Sequence, residues 1–288
     1  MRDFVIVTDS SCDLPTEIVE QNDILVVPMG ICFDGVGYKH YHDFRELNVR
    51  TFYDGMRDGK IGSTAGTNML DAIDVMKPVL DDGKDIVFLS ISSGLSCSYQ
   101  NACLAAEELL EEYEDARIEV IDTKSVTLGV GIMACVAANM RVNGKTMDEV
   151  VAYLRNNCDK VYHVFAADDL AHLQRSGRIS HISSIVGSAL GIKPVFTIDA
   201  NGKIQTIGKM RGRKAVIKHL IESAKNNCVE HEIFGICHAD TPDDAEMIKE
   251  KLMEDYPGAK FIISNLGPII GVNTGIGTLA IVGIGEKR

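Results

Sequence analysis

The chain has 288 residues, 45% of them apolar, which is enough to bury a core and too much for a disordered polymer. At ~100–200 residues per domain, this length fits one or two domains. Its 29 Lys and Arg against 41 Asp and Glu leave a net charge of −12, which argues against a bare nucleic-acid-backbone binder and against docking on anionic headgroups by charge alone.

Residues 4–7 read as a buried strand ending at Thr8-Asp9-Ser10, and Pro15 opens a short helix. A second strand follows at 24–27. Asp43 and Glu46 have the spacing of a capping box, with Phe44, Leu47, Phe52 and Met56 as apolar positions of the helix it would start. Next come a strand at 86–91, a helix over 98–113 and a strand at 118–121. The stretch 125–141 is apolar nearly all round, which predicts a helix without a solvent face. Strands alternating with helices imply βαβ units and a mainly parallel sheet.

After about residue 158 the pattern shifts. A strand spans 161–166, and Asp168-Asp169-Leu170 opens a short helix. Strands at 194–198 and 204–207 flank Asn201-Gly202, a hairpin signal. A helix over 211–226, a strand at 233–238, a helix over 241–255 and strands at 261–264 and 279–284 complete the chain. The expected fold is α/β with two lobes, 1–158 and 159–288. The first carries a mainly parallel sheet and the second a mixed one, with a ligand cleft between them.

Three stretches lack charge, apart from the titratable His181: 86–106, 179–188 and 261–285. The last is long enough to raise a membrane span, but its many glycines and Pro268 fit a spanning helix poorly. Ser90, Ser92, Ser93, Ser96 and Ser98 in the first stretch, and Ser180, Ser183, Ser184 and Ser188 in the second, suggest a neutral polar lining; caps and turns are the plain alternative. The eight cysteines, Cys12, Cys32, Cys97, Cys103, Cys135, Cys158, Cys228 and Cys237, form no C-x-x-C pair and read as buried reduced thiols. With an apolar N-terminal run too short for a signal peptide, they point to the cytoplasm.

Several catalytic motifs fail. Gly94-Leu95-Ser96-Cys97-Ser98 lacks the final glycine of a nucleophile elbow, and only His163, His172 and His238 offer a remote base. Gly275-Ile276-Gly277-Thr278-Leu279-Ala280 lies too near the C-terminus to open a dinucleotide-binding βαβ unit. No phosphate-binding P-loop is visible. Asp9 reads as a helix-capping or loop-organising carboxylate, and His40-Tyr41-His42-Asp43 as a solvated loop with no metal cluster around it.

Four segments fit together: Val7 to Pro15, with Asp9 and Asp13; the loop Gly62-Ser63-Thr64-Ala65-Gly66-Thr67; Ser90 to Ala102, with Ser92-Ser93-Gly94-Leu95-Ser96; and Asp168 to Ile179, ending Ser176-Gly177-Arg178. Their order resembles the DegV family, the fatty-acid-binding proteins that serve bacterial fatty acid kinase. The resemblance spans essentially the whole chain, through Gly191-Ile192-Lys193-Pro194 and Met210-Arg211-Gly212-Arg213 to the glycine-rich end. It implies a tunnel at the lobe junction holding one long-chain fatty acid. The carboxylate would be bound by Ser63 or Thr64 and by Ser96, with Ser93 beside it. It further implies that a separate kinase phosphorylates the bound acid for phospholipid synthesis, with Arg178, Arg211 and Arg213 on the face it meets; ion pairing is the plain reading of these arginines.

Two departures stand out: Asn273 occupies the place of the family's Gly-x-His-x-Gly histidine, and Ser63-Thr64-Ala65-Gly66 replaces the common Thr-Ser-Gln-Pro. Asn273 donates a hydrogen bond but carries no charge. The expectation is a monomeric carrier that needs no cofactor or metal and binds no nucleic acid. The competing reading is a serine-dependent esterase or phosphotransferase using Ser96; a small-molecule regulator is a third.

Overall fold

The apolar run after the N-terminus becomes strand β1 (Phe4–Asp9), buried on both faces. The computed structural model describes residues 2–179 and 191–286. A turn of 3-10 helix follows β1, then α1 (Thr16–Gln21) and β2 (Ile24–Val27). Three short strands come next in part: β3 (Met29–Phe33), β4 (Val36–His40) and, after α2 (Val49–Arg57), β5 (Gly62–Thr67). Then α3 (Met69–Asp81), β6 (Asp85–Ser90), α4 (Ser98–Glu112), β7 (Ile118–Asp122), α5 (Leu128–Val142) and α6 (Met147–Asn157) alternate.

β2, β1, β6 and β7 form a fully parallel sheet in that order. Strands covered on both faces need continuous apolar runs, as β1 and β6 have. Val5, Val7, Ile86 and Phe88 pack on residues of α3 and α4, while Phe4, Ile6, Val87 and Leu89 face the other way, toward α5.

The second part has β8 (Val161–Ala166), α7 (Leu170–Ser176), β9 (Ile192–Ile198), β10 (Ile204–Arg211), α8 (Arg213–Asn227), β11 (Cys228–His238), α9 (Pro242–Asp255), β12 (Lys260–Asn265), α10 (Pro268–Thr274) and β13 (Leu279–Gly285). Its six-stranded sheet runs β10-β9-β8-β13-β11-β12, antiparallel except for the β11–β12 pair. The fold is thus α/β with a parallel and a mixed sheet, as expected. α5 packs on β1 and β6 on one side and on β8, β11 and β13 on the other. Wedged between two sheets, it has no exposed residue from Leu128 to Ala138, which is why its sequence is apolar around the circumference until the last turn.

Five expectations need correction. Asp43 and Glu46 cap nothing: the helix starts at Val49, with Asn48 accepting from the Arg50 and Thr51 amides. Phe44 sits at φ +56°, outside helical space, and the Glu46 carboxylate accepts from Lys39 N instead. Residues 62–67 are not a loop but β5, paired antiparallel with β3. The helix expected from Ser125 begins at Leu128, because Thr127 adopts φ +54° and cannot belong to it. His40 is sealed at the end of β4 at 3% exposure, not solvated. All eight cysteines are free, but only Cys12, Cys158, Cys228 and Cys237 are buried. Of the second uncharged stretch, Ser180, Ser183, Ser184 and Ser188 lie outside the described residues.

Candidate functional site

A cavity of about 830 Å³, open space at its mouth included, lies between the parallel sheet's β6–α4 turn and the inner face of the mixed sheet. Its wall is largely aliphatic and aromatic: Ile91 and Leu95 come from the β6–α4 turn, Phe165 from β8, Ile198 and Ile204 from the β9–β10 hairpin, Ile269 and Ile270 from α10. An open surface basin shares Thr64, Gly66, Leu95, Ser96 and Arg178 with the cavity, so the mouth lies there.

The fold builds this mouth from three pieces. β5 passes close to the β6–α4 turn because Gly66 has no side chain: a Cβ there would stand 2.7 Å from Cys97 Sγ and 3.2 Å from Ser96 Oγ. Thr67 N donates to Ser98 Oγ at 2.9 Å, locking strand to turn. The hairpin tip docks on the same turn, with Ser92 Oγ donating to Gly202 O at 2.8 Å. α10 closes the third side. Gly267 N donates to Asp13 Oδ1 at 2.8 Å, and Tyr53 OH donates to Leu266 O at 2.6 Å, so the helix is seated on α2 and the segment after β1.

Hydroxyl direction at the mouth follows from the bonds. Ser98 Oγ accepts Thr67 N–H and is fully buried, so its own proton goes to Ser96 Oγ, 2.8 Å away. Ser96 Oγ also accepts Ser98 N–H at 3.2 Å, which leaves the Ser96 proton for a guest. The first amide of α4 is therefore taken by Ser96 itself. Thr64 Oγ1 accepts from Asn273 Nδ2 at 3.3 Å, and its proton too is available. Thr64, Ser96 and Asn273 carry no charge, and Arg178 is the charged side chain on the cavity wall among the described residues.

The other expected residues go elsewhere. Ser63 alternates to the outer face of β5 and lines an open groove with Cys32 and Tyr38. Ser93 is exposed, with its amide donating to Asp122 Oδ1 at 3.1 Å and its hydroxyl to Asp122 Oδ2 at 2.5 Å. Arg211 is exposed. Arg213 is spent internally on Asp244 at 2.7 Å, Asp168 at 3.1 Å and the Gly277 carbonyl. Arg178 donates to Ser176 O at 2.6 Å and has no carboxylate partner among the described residues. Asp9 organises the loop, as its sequence position suggested: fully buried, it accepts from Ser11, Ser90 and Ile91. Burial raises its pKa, and these hydrogen bonds oppose the rise.

Sequence reasoning missed Asp13 as the anchor of α10. Burial pushes its pKa well above the usual carboxylate value, against the bond from Gly267. Beside it, His40 is lowered to about 4, mainly by burial. Neither contact is visible from spacing, since Asp13 and Gly267 lie 254 positions apart. Among the described residues no imidazole is hydrogen-bonded to Ser96, whose side-chain bonds go to Ser98. Among the described residues Ser125 does meet a histidine side chain, at 3.2 Å from His163 Nε2, and it is sealed. No group of three or more His, Cys, Asp or Glu among the described residues could hold a metal, and no described helix is long and apolar enough to cross a membrane.

Two sheets around a wedged helix thus enclose an apolar cavity whose mouth carries the uncharged hydroxyls of Thr64 and Ser96. The chain belongs to the DegV family, described as uncharacterised proteins, which it matches over residues 3–286. It is 37% identical to a DegV domain-containing protein of Clostridium perfringens, over all of this chain and 99% of that one. The structure superimposes on a DegV family protein from Thermus thermophilus described by its fatty acid binding (TM-score 0.87, 26% identity, 99% of this chain and 100% of that one). It also superimposes on DegV of Bacillus subtilis, described as a fatty acid binding protein (TM-score 0.85, 27% identity, 99% and 100% covered).

Proposed function

We propose that this protein binds one long-chain fatty acid, alkyl chain in the cavity and carboxylate at Thr64 and Ser96, and presents that carboxylate to a separate fatty acid kinase. The observation that carries the reading is an aliphatic cavity whose mouth offers uncharged O–H donors, in a family whose solved members include fatty-acid-binding proteins. Burying an alkyl chain contributes ~0.8 kcal/mol per methylene, so a sixteen-carbon acid gains on the order of 10 kcal/mol before ordering costs. A carboxylate leaving water must keep hydrogen bonds, and neutral hydroxyls supply them without a tight ion pair. That leaves an oxygen nucleophilic toward ATP held by the kinase.

Arg178, at the mouth without a carboxylate partner among the described residues, supplies local positive charge in an acidic protein. With exposed Arg211 it offers the kinase a landing point. Arg213 is left out, its guanidinium being used inside the fold. In this reading the protein is a cytoplasmic, monomeric carrier without catalysis of its own, and its lobes divide at 158/159. The test is incubation of the fatty-acid-loaded protein with a fatty acid kinase and ATP, trapping acyl phosphate as the hydroxamate. Acyl hydroxamate formed only when the carrier is present supports the reading; tight fatty-acid binding with no acyl phosphate from any tested kinase contradicts the presentation step.

A further inference from the structure

We infer that the head-group site accepts primary amides of long-chain acids as well as the acids themselves. This rests on the cavity reading above and extends it to a second ligand class. Asn273, in the last turn of α10, donates from Nδ2 to Ile269 O at 2.7 Å and to Thr64 Oγ1 at 3.3 Å. A carbonyl oxygen only accepts, so the Ile269 contact decides which end of the side chain is nitrogen. Both N–H protons are then used. The other end, Oδ1, accepts no hydrogen bond from the described residues, and Asn273 lines the cavity wall.

The mouth therefore displays two kinds of group on an uncharged frame: the O–H donors of Thr64 and Ser96, and the Asn273 Oδ1 acceptor. A carboxylate uses only the donors and faces the Asn273 oxygen without a proton to share. A primary amide uses both, its carbonyl accepting from Ser96 or Thr64 and its NH₂ donating to Asn273 Oδ1. A methyl ester has the carbonyl but no donor. Arg178 on the rim favours the acid through charge, which offsets the extra hydrogen bond of the amide. The two head groups should thus bind comparably, the acid with a salt-dependent component and the amide without one.

The experiment is displacement of the fluorescent fatty acid cis-parinaric acid from the full-length protein by hexadecanoate, hexadecanamide and methyl hexadecanoate. Expected are an amide within about tenfold of the acid and an ester about tenfold weaker than the amide. Raising the salt concentration should weaken the acid alone. Asn273→Ala should lower the amide affinity about tenfold relative to the acid, since the lost acceptor serves only the amide. The three-ligand comparison on the unmodified protein stands even if that variant misfolds. An amide no tighter than the ester, with the acid still displacing the probe, overturns the inference and spares the lipid reading. Failure of all three ligands to bind overturns both.

Discussion

Adjacent residues on β5 give the most discriminating test of the head-group assignment. Thr64 lines the cavity and Ser63 faces the outer groove, so Thr64→Val and Ser63→Ala each remove one hydroxyl from opposite faces of one strand. Valine keeps the shape and suits a strand, so the fold should tolerate it. In Thr64→Val the guest loses an O–H donor to its charged oxygen, worth about 1.5–3 kcal/mol. The prediction is a hexadecanoate Kd raised roughly 10- to 150-fold by Thr64→Val and unchanged within about twofold by Ser63→Ala. Isothermal titration calorimetry measures both. Equal losses for the two variants, or full affinity in Thr64→Val, would refute the reasoning, because strand alternation would then not select the binding hydroxyl.

Other outcomes follow from the same contacts. Gly66→Ala places a Cβ 2.7 Å from Cys97 Sγ and 3.2 Å from Ser98 N, so the Cys97 side chain must turn away and β5 shift by a few tenths of an ångström; a stability loss of about 1 kcal/mol in chemical denaturation and weaker lipid binding are expected. Arg178→Glu should lower fatty-acid affinity and reverse the sign of its salt dependence, read by titration at two ionic strengths. His40 and Asp13 pull stability in opposite directions with pH. The native His40 pKa of about 4 lies below its unfolded 6.5, so the unfolded chain binds the extra proton and stability falls as pH drops through that window, by up to roughly 3 kcal/mol. Asp13 is raised above 3.8, so its contribution is present at low pH and lost as pH rises through the native value. Asp13→Asn keeps an oxygen for the Gly267 amide and should flatten the alkaline side of the stability profile; an unchanged profile would show that Asp13 does not titrate there.

Much of the scaffold was legible because its signals are local. β1, β6 and α5 are written as apolar runs, and Asn201-Gly202 marks its own hairpin. β5 was not, since its residues Gly-Ser-Thr-Ala-Gly-Thr have little strand propensity and are held by pairing with β3 and by the lock of Thr67 on Ser98. The capping-box spacing at Asp43 and Glu46 misled because Glu46 finds the β4 backbone first. At the site, Ser96 and Asn273 line the cavity, while only the alternation of β5 separates Thr64 on the cavity wall from exposed Ser63. Ser93 and Arg213 carry suitable chemistry but are captured by Asp122, Asp168 and Asp244, partners that folding alone brings near. The exposure of Cys32 and Cys97 likewise depends on packing that no spacing rule encodes.

Native mass spectrometry of the purified full-length protein, followed by organic extraction, reaches the central claim most directly. The account predicts one fatty acid per chain, removable by delipidation and restored by added hexadecanoate. A chain that carries no alkyl ligand and takes up none after delipidation would contradict it.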